Sequence, residues 1–111
     1  MEELTNLKCI PCRGGQPTLT DGQMAALRPQ VPEWDVVEKD GVKRLKRRFH
    51  FKNFAQALAF THQVGQIAEE QGYHPAILTE WGKVTVEWWT HAIKDLHQND
   101  FIMAAKTDKL I

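Results

Sequence analysis

Two histidines in this 111-residue chain stand where a fold can hold an imidazole rigidly at the rim of a sheet. His74 follows the end of a long helical pattern and precedes Pro75, which restricts the backbone ahead of it. His91 closes an alternating strand pattern, and Glu69, one helical turn before Tyr73, can point toward the same rim. A free imidazole titrates near pH 6.5, so both of its forms are available close to neutrality. Two imidazoles beside a carboxylate are therefore suited to general acid–base chemistry. Taken singly, each has a plainer explanation: a turn residue for His74, a water-facing strand end for His91. Their joint spacing with other residues gives them weight.

Other chemistry-bearing features carry less. Cys9 and Cys12 form half of a zinc knuckle, but structural zinc needs four ligands and there is no second cysteine pair. A reduced pair or a local disulfide is the simpler expectation, and no metal is expected. Lys43 to Arg48 is the one basic run, read as a solvated strand face balanced in part by Glu33, Asp35, Glu38 and Asp40. Lys and Arg total 14, as do Asp and Glu, so the chain lacks the basic excess that nucleic-acid binding usually requires. The acidic, polar opening Met1–Asn6 is unlike a signal peptide, and no run approaches a membrane span, so the expected location is the cytoplasm. His50, His62 and His97 read as surface or half-buried side chains.

The elements that must position these residues follow from pattern. Residues 1–18 read as an irregular leader, punctuated by Pro11, Gly14, Gly15 and Pro17, ahead of one domain over 19–111. Thr20 and Asp21 can cap a short helix to about Leu27, which Pro29 stops. Trp34 to Glu38 reads as a strand, turned by Asp40-Gly41 into a second from Val42 to Phe51. Leu45, Phe49 and Phe51 share a face of that strand, which Arg47 interrupts. Asn53 caps the longest helix, Phe54 to about Gln71, with an expected apolar stripe of Phe54, Ala57, Leu58, Thr61, Val64, Ile67 and Ala68, ending at Gly72. Strands Ala76–Thr79 and Lys83–Thr90 flank a Trp81-Gly82 turn, and a last helix starts near Gln98. In the last strand Val84, Val86 and Trp88 share one face, so one of Trp88 and Trp89 should enter the core. The predicted fold class is α+β, a single-layer four-stranded antiparallel sheet with helices packed on one face.

Glu69, three spacers, then Tyr73, His74 and Pro75, followed by Trp81, His91 and Asp100, form a constellation that needs no gap. Over roughly residues 19–111 the chain resembles the pterin-4a-carbinolamine dehydratase family. That family carries an acidic residue, His-His-Pro, an aromatic residue, a histidine and an aspartate in this order. Phe49-His50-Phe51-Lys52-Asn53-Phe54 is similar to its strand-to-helix junction, and Leu19-Thr20 and Pro32-Glu33-Trp34 are similar to its opening.

The resemblance implies loss of water from a 4a-hydroxytetrahydropterin to give quinonoid dihydropterin, in tetrahydrobiopterin recycling. The catalytic set would be His74 and His91 handling the protons, Tyr73 as a hydrogen-bond donor and Glu69 orienting them. Tyr73, His74, Pro75, Trp81, Thr90, His91 and Asp100 would bind the substrate, and no metal or organic cofactor would be required. It implies a homodimer or homotetramer. Some relatives also act as dimerisation cofactors of a homeodomain transcription factor, so a protein partner and a non-enzymatic pterin-binding or assembly role form the alternative. The chain departs from the family at Tyr73, which replaces its first histidine. A phenol titrates near 10, so it donates a hydrogen bond but is a poor base at neutral pH. Asp100, near the start of the last helix, has a structural alternative as a carboxylate at the positive end of the helix dipole.

Overall fold

Asp40 and Gly41 both take up left-handed backbone, at φ 53° and 78°, the conformation that a two-residue hairpin turn demands. They fold β1 (Asp35–Lys39) back onto β2 (Val42–His50). The computed structural model describes residues 3–7, 19–91 and 93–111. A second hairpin joins β3 (Ala76–Glu80) to β4 (Lys83–Trp88), and β4 also pairs antiparallel with β2. The result is one four-stranded antiparallel sheet in the order β1-β2-β4-β3. Helices α1 (Asp21–Leu27), α2 (Phe54–Gln71) and α3 (Gln98–Asp108) complete the α+β fold, with the helices on one face as the sequence leads one to expect.

The core lies where α2 and α3 meet the sheet. Leu45 and Phe49 of β2 and Val84, Val86 and Trp88 of β4 are all buried, as the alternation of apolar residues requires. Trp34 meets Phe49 edge-on at 5.9 Å, and Phe49 and Phe51 both lean on Phe60 of α2. The buried row of α2 is Ala57, Phe60, Val64 and Ala68. Phe54 and Leu58, expected on that stripe, are instead 45% and 54% exposed. Each residue turns the helix by about 100°, so Leu58 falls off the line on which Ala57 and Phe60 touch the sheet. The expected caps are present: Thr20 and Gln23 form a capping box, Asn53 Oδ1 accepts from the Gln56 N–H, and Gly72 ends α2 at φ 64°.

Arg47 sits between Leu45 and Phe49 on the core face. Its guanidinium lies over the Phe49 ring at 4.4 Å and donates to Asp108 Oδ1 at 2.7 Å. The indole Nε1 of fully buried Trp34 donates to the same carboxylate oxygen at 2.8 Å. A carboxylate at the C-terminal end of a helix opposes the dipole, and these two donors offset that cost. Within the stretch read as a leader, Leu4 is buried in a 3-10 turn (Leu4–Asn6). The Leu4 N–H donates to Gln30 Oε1 and Lys106 of α3 donates to the Thr5 carbonyl. Cys9 and Cys12 lie outside the described residues. Among the described residues no helix is long and apolar enough to cross a membrane.

Removing the shared carboxylate strands two donors at once. Asp108→Ala is expected to lower stability by about 1–3 kcal/mol, read as a lower urea midpoint with an unchanged slope.

Candidate active site

The end of α2 directs two neighbouring side chains to opposite sides. Gly72 donates to the Glu69 carbonyl and Tyr73 to the Ala68 carbonyl, and the left-handed Gly72 turns the chain between them. Tyr73 enters the core and stacks on Trp88 at 6.0 Å with planes 10° apart, while His74 stays exposed. The strand register then fixes where these segments lie. Ala76 at the start of β3 pairs with Glu87 near the end of β4. The segment that carries His74 into the sheet and the segment that carries Thr90 and His91 out of it therefore share one end of two neighbouring strands.

A loop closes that end. Thr90 donates its N–H to the Asp95 carbonyl, Lys94 adopts a positive φ of 52°, and the chain enters α3 through His97. His97 is the N-cap: its Nδ1 accepts from the Asn99 N–H at 3.1 Å, which places the neutral ring's proton on Nε2. Burial lowers the pKa of His97, in keeping with that neutral form. Asp100 completes the capping box by accepting the His97 N–H on Oδ2 at 2.9 Å.

Asp100 is fully buried and binds both other segments. The Tyr73 hydroxyl is hydrogen-bonded to Oδ1 at 2.5 Å, and Thr90 donates to Oδ2 at 2.9 Å. Tyr73 and Thr90 are also hydrogen-bonded to each other through their hydroxyls. Desolvation raises the Asp100 pKa to about 7. The nearby Asp95 charge pushes in the same direction, against the hydrogen bonds from Tyr73, His97 and Thr90. Asp100 is thus both a helix-capping residue and a tie between Tyr73 and Thr90.

At the surface, His74 Nε2 meets Glu69 Oε1 at 2.7 Å, with both side chains well exposed. A carboxylate there favours the proton on Nε2 and leaves Nδ1 open. Exposed His91 stacks on Trp89 at 4.4 Å, and the Arg44 guanidinium lies 3.8 Å over the Trp89 ring while pairing with Glu87 at 3.4 Å. Pro75 lies half-buried between His74 and β3. Trp81 is 71% exposed in the β3–β4 turn, at the other end of the hairpin from His74 and His91. A five-residue strand puts that turn about 15 Å away.

The fold therefore joins Tyr73, Thr90 and Asp100 in direct contact and pairs Glu69 with His74. It sets His91 on a Trp89–Arg44 stack and leaves Trp81 apart within one chain. Two contributors had not been singled out by pattern. Arg44 lies on the same strand face as Lys46 and Arg48, and a basic run gives no sign of which member will find an indole. The His97…Asp100 spacing does match a capping box, but histidine is not among the residues usually preferred at an N-cap. Among the described residues no group of three or more His, Cys, Asp or Glu is placed to hold a metal ion.

The family model for pterin 4 alpha carbinolamine dehydratase matches residues 17–110. A protein of Nitrosococcus oceani, provisionally named pterin-4-alpha-carbinolamine dehydratase, is 56% identical over all of this chain and 98% of its own length. One of Syntrophotalea carbinolica with the same provisional name is 55% identical over all of this chain and 99% of its own. Among solved structures, a transcriptional coactivator/pterin dehydratase from Brucella melitensis aligns with a TM-score of 0.76 at 29% identity, covering 85% of this chain and 98% of that one. A pterin dehydratase-like protein identified as a RuBisCO assembly factor in the alpha-carboxysome aligns with a TM-score of 0.60 at 28% identity, over 70% and 88% of the two chains. With its fold, its spaced Glu69–Asp100 constellation and these likenesses, the chain belongs to the pterin 4 alpha carbinolamine dehydratase family.

Proposed function

We propose that this protein dehydrates a 4a-hydroxytetrahydropterin to the quinonoid dihydropterin by histidine acid–base catalysis, in the recycling of tetrahydrobiopterin or a related pterin. The names of its relatives support the reaction class. The observation that supports the residue assignment is the β3–β4 register, with His74 and His91 on segments that leave the same end of paired strands. In the reaction the ring nitrogen lone pair expels the C4a hydroxyl. An imidazolium protonates that oxygen so that it leaves as water, and a second group takes a ring N–H proton. Nδ1 of His74, with Nε2 held by Glu69, suits the acceptor. His91, fixed by its stack on Trp89, suits the donor to the leaving oxygen. Pro75 shapes the wall beside His74, and the backbone near Thr90 can meet the polar edge of the pterin.

Tyr73 does not act as a base in this scheme. Its hydroxyl is held inside by Asp100 and Thr90, and a phenol holds its proton at neutral pH. Trp81, across the hairpin, takes no part in the site of its own chain.

A second reading, as an assembly module for a protein partner, draws on exposed apolar side chains. Phe54, Leu58, Leu78 and Trp81 are all at least 45% exposed, and a structural relative carries the name of an assembly factor. Burial of such side chains between copies also suits a homodimer or homotetramer. A cytoplasmic location is part of the proposal on either reading.

Two assays separate these readings. Purified protein should accelerate dehydration of a synthetic 4a-hydroxytetrahydropterin above background, and His91→Ala should reduce kcat by about 10²-fold or more. A rate equal to background, or an unaltered rate in His91→Ala, counts against the enzyme. A stable complex with another protein that survives His91→Ala would favour the assembly role. With His74 and His91 handling the protons and the side chain at position 73 turned inward onto Asp100 and Thr90, Tyr73→His is expected to give no gain in kcat. A gain of about tenfold or more would mean that the tyrosine limits turnover and would contradict this division of roles.

A further inference from the structure

Asp100 is an acid with no exposure, in contact with two hydroxyls that are in contact with each other. Proton counting sets what this triangle can hold. If the carboxyl is ionised, Tyr73 donates to Oδ1 and Thr90 donates to Oδ2. Both hydroxyl protons are then spent, and the third edge, between Tyr73 and Thr90, has none. If the carboxyl keeps its proton on Oδ1, that proton goes to the Tyr73 oxygen, the Tyr73 proton to Thr90 and the Thr90 proton to Oδ2. All three edges are then filled by three protons, and Oδ2 still accepts the His97 N–H.

We propose that Asp100 is a positioning residue held as the neutral acid, and that through Tyr73 and Thr90 it locks together the segments bearing His74 and His91. This deepens the dehydratase reading and rests on it for its catalytic consequence. The groups that face Asp100 are consistent with a neutral acid. Tyr73 comes from the α2–β3 connection, Thr90 from beyond β4, and His97 and Asp95 from the entry to α3. Among the described residues hydrogen-bonded to or charged beside it, none supplies a formal cation: His97 offers its backbone N–H and has its own pKa lowered, and Asp95 adds a like charge. The neutral acid therefore needs no counter-charge, whereas a carboxylate would be buried without one. The tyrosine that replaces the family's first histidine is what makes this state self-consistent. A histidine there would take the acid proton and form an ion pair; a phenol completes a neutral ring.

The sign of the pH dependence follows. A carboxyl with an ordinary value of 3.8 and a folded value of about 7 binds more protons folded than unfolded between those limits. Its contribution to stability is full below about 3.8 and is lost as pH rises toward 7. Asp100→Asn keeps the neutral pattern, with its amide nitrogen facing Tyr73 and its carbonyl accepting from Thr90 and His97. Asp100→Leu keeps none of it.

Carboxyl carbon NMR of the wild type, with the Asp100 signal assigned by its absence in Asp100→Asn, reads the protonation directly. A titration midpoint near 7 is expected, and a signal ionised throughout from about pH 5 to about pH 8 overturns the neutral acid. Over the same range the wild type should lose stability to urea relative to Asp100→Asn as pH rises. In turnover, wild-type kcat should fall as pH rises through about 7, Asp100→Asn should lack that fall, and Asp100→Leu should lose about tenfold or more in kcat. Equal kcat and equal pH profiles for wild type, Asn and folded Leu variants overturn the positioning role. If no variant turns over the pterin, the dehydratase reading fails, and the NMR midpoint still decides the state of Asp100.

Discussion

A carboxyl group shut away from water at the head of α3 constrains everything around it. Three chain segments, far apart in sequence, must converge to satisfy Asp100: the turn after α2, the exit from β4 and the entry to α3. A buried polar group left unpaired costs about 1–3 kcal/mol, more if charged, so these segments cannot drift apart cheaply. The stack of Tyr73 on Trp88, and the hydrogen bond that the Trp88 indole N–H donates to Thr107 of α3, brace the same corner from below. The surface side chains above it can then be exposed without being loose.

This arrangement divides the site into two layers. Tyr73, Thr90 and Asp100 lie inside and give up their hydrogen bonds to one another, which fixes backbone positions. Glu69, His74 and His91 lie outside, each with a neighbour that sets ring orientation: a carboxylate for His74, an indole for His91. The family's spaced residues thus belong to two different jobs in this chain. Tyr73, Thr90 and Asp100 hold the architecture, while His74 and His91, each one position further along, face the solvent with Glu69.

Much of this was legible in the sequence, for reasons that differ by residue. Asp40-Gly41, Asn53 and Gly72 act through local backbone chemistry and predicted their turns and caps. The alternation of Val84, Val86 and Trp88 gave the buried face of β4, because a strand has only two faces. The stripe on α2 was less determinate: several rows of apolar residues compete for the sheet, and docking angle selects Ala57-Phe60-Val64-Ala68 over Phe54 and Leu58. Arg47 shows the opposite limit. Its place on the core face followed from parity, but its partner Asp108 is 61 residues away and no local pattern announces it. The stack of Arg44, Trp89 and His91 was hidden for the same reason, and so was the dual role of Asp100, which a spacing motif and a capping box describe equally well.

Catalysis by this site requires a bicyclic substrate to lie against His74 and His91 while Tyr73 remains turned inward. A crystal structure with an unreactive dihydropterin bound tests this most directly. The ring system should lie within hydrogen-bonding reach of both imidazoles, about 3 Å, with the Tyr73 hydroxyl still on Asp100 and Thr90. A pterin bound away from either histidine, or a Tyr73 side chain swung out to meet it, would contradict that division of roles.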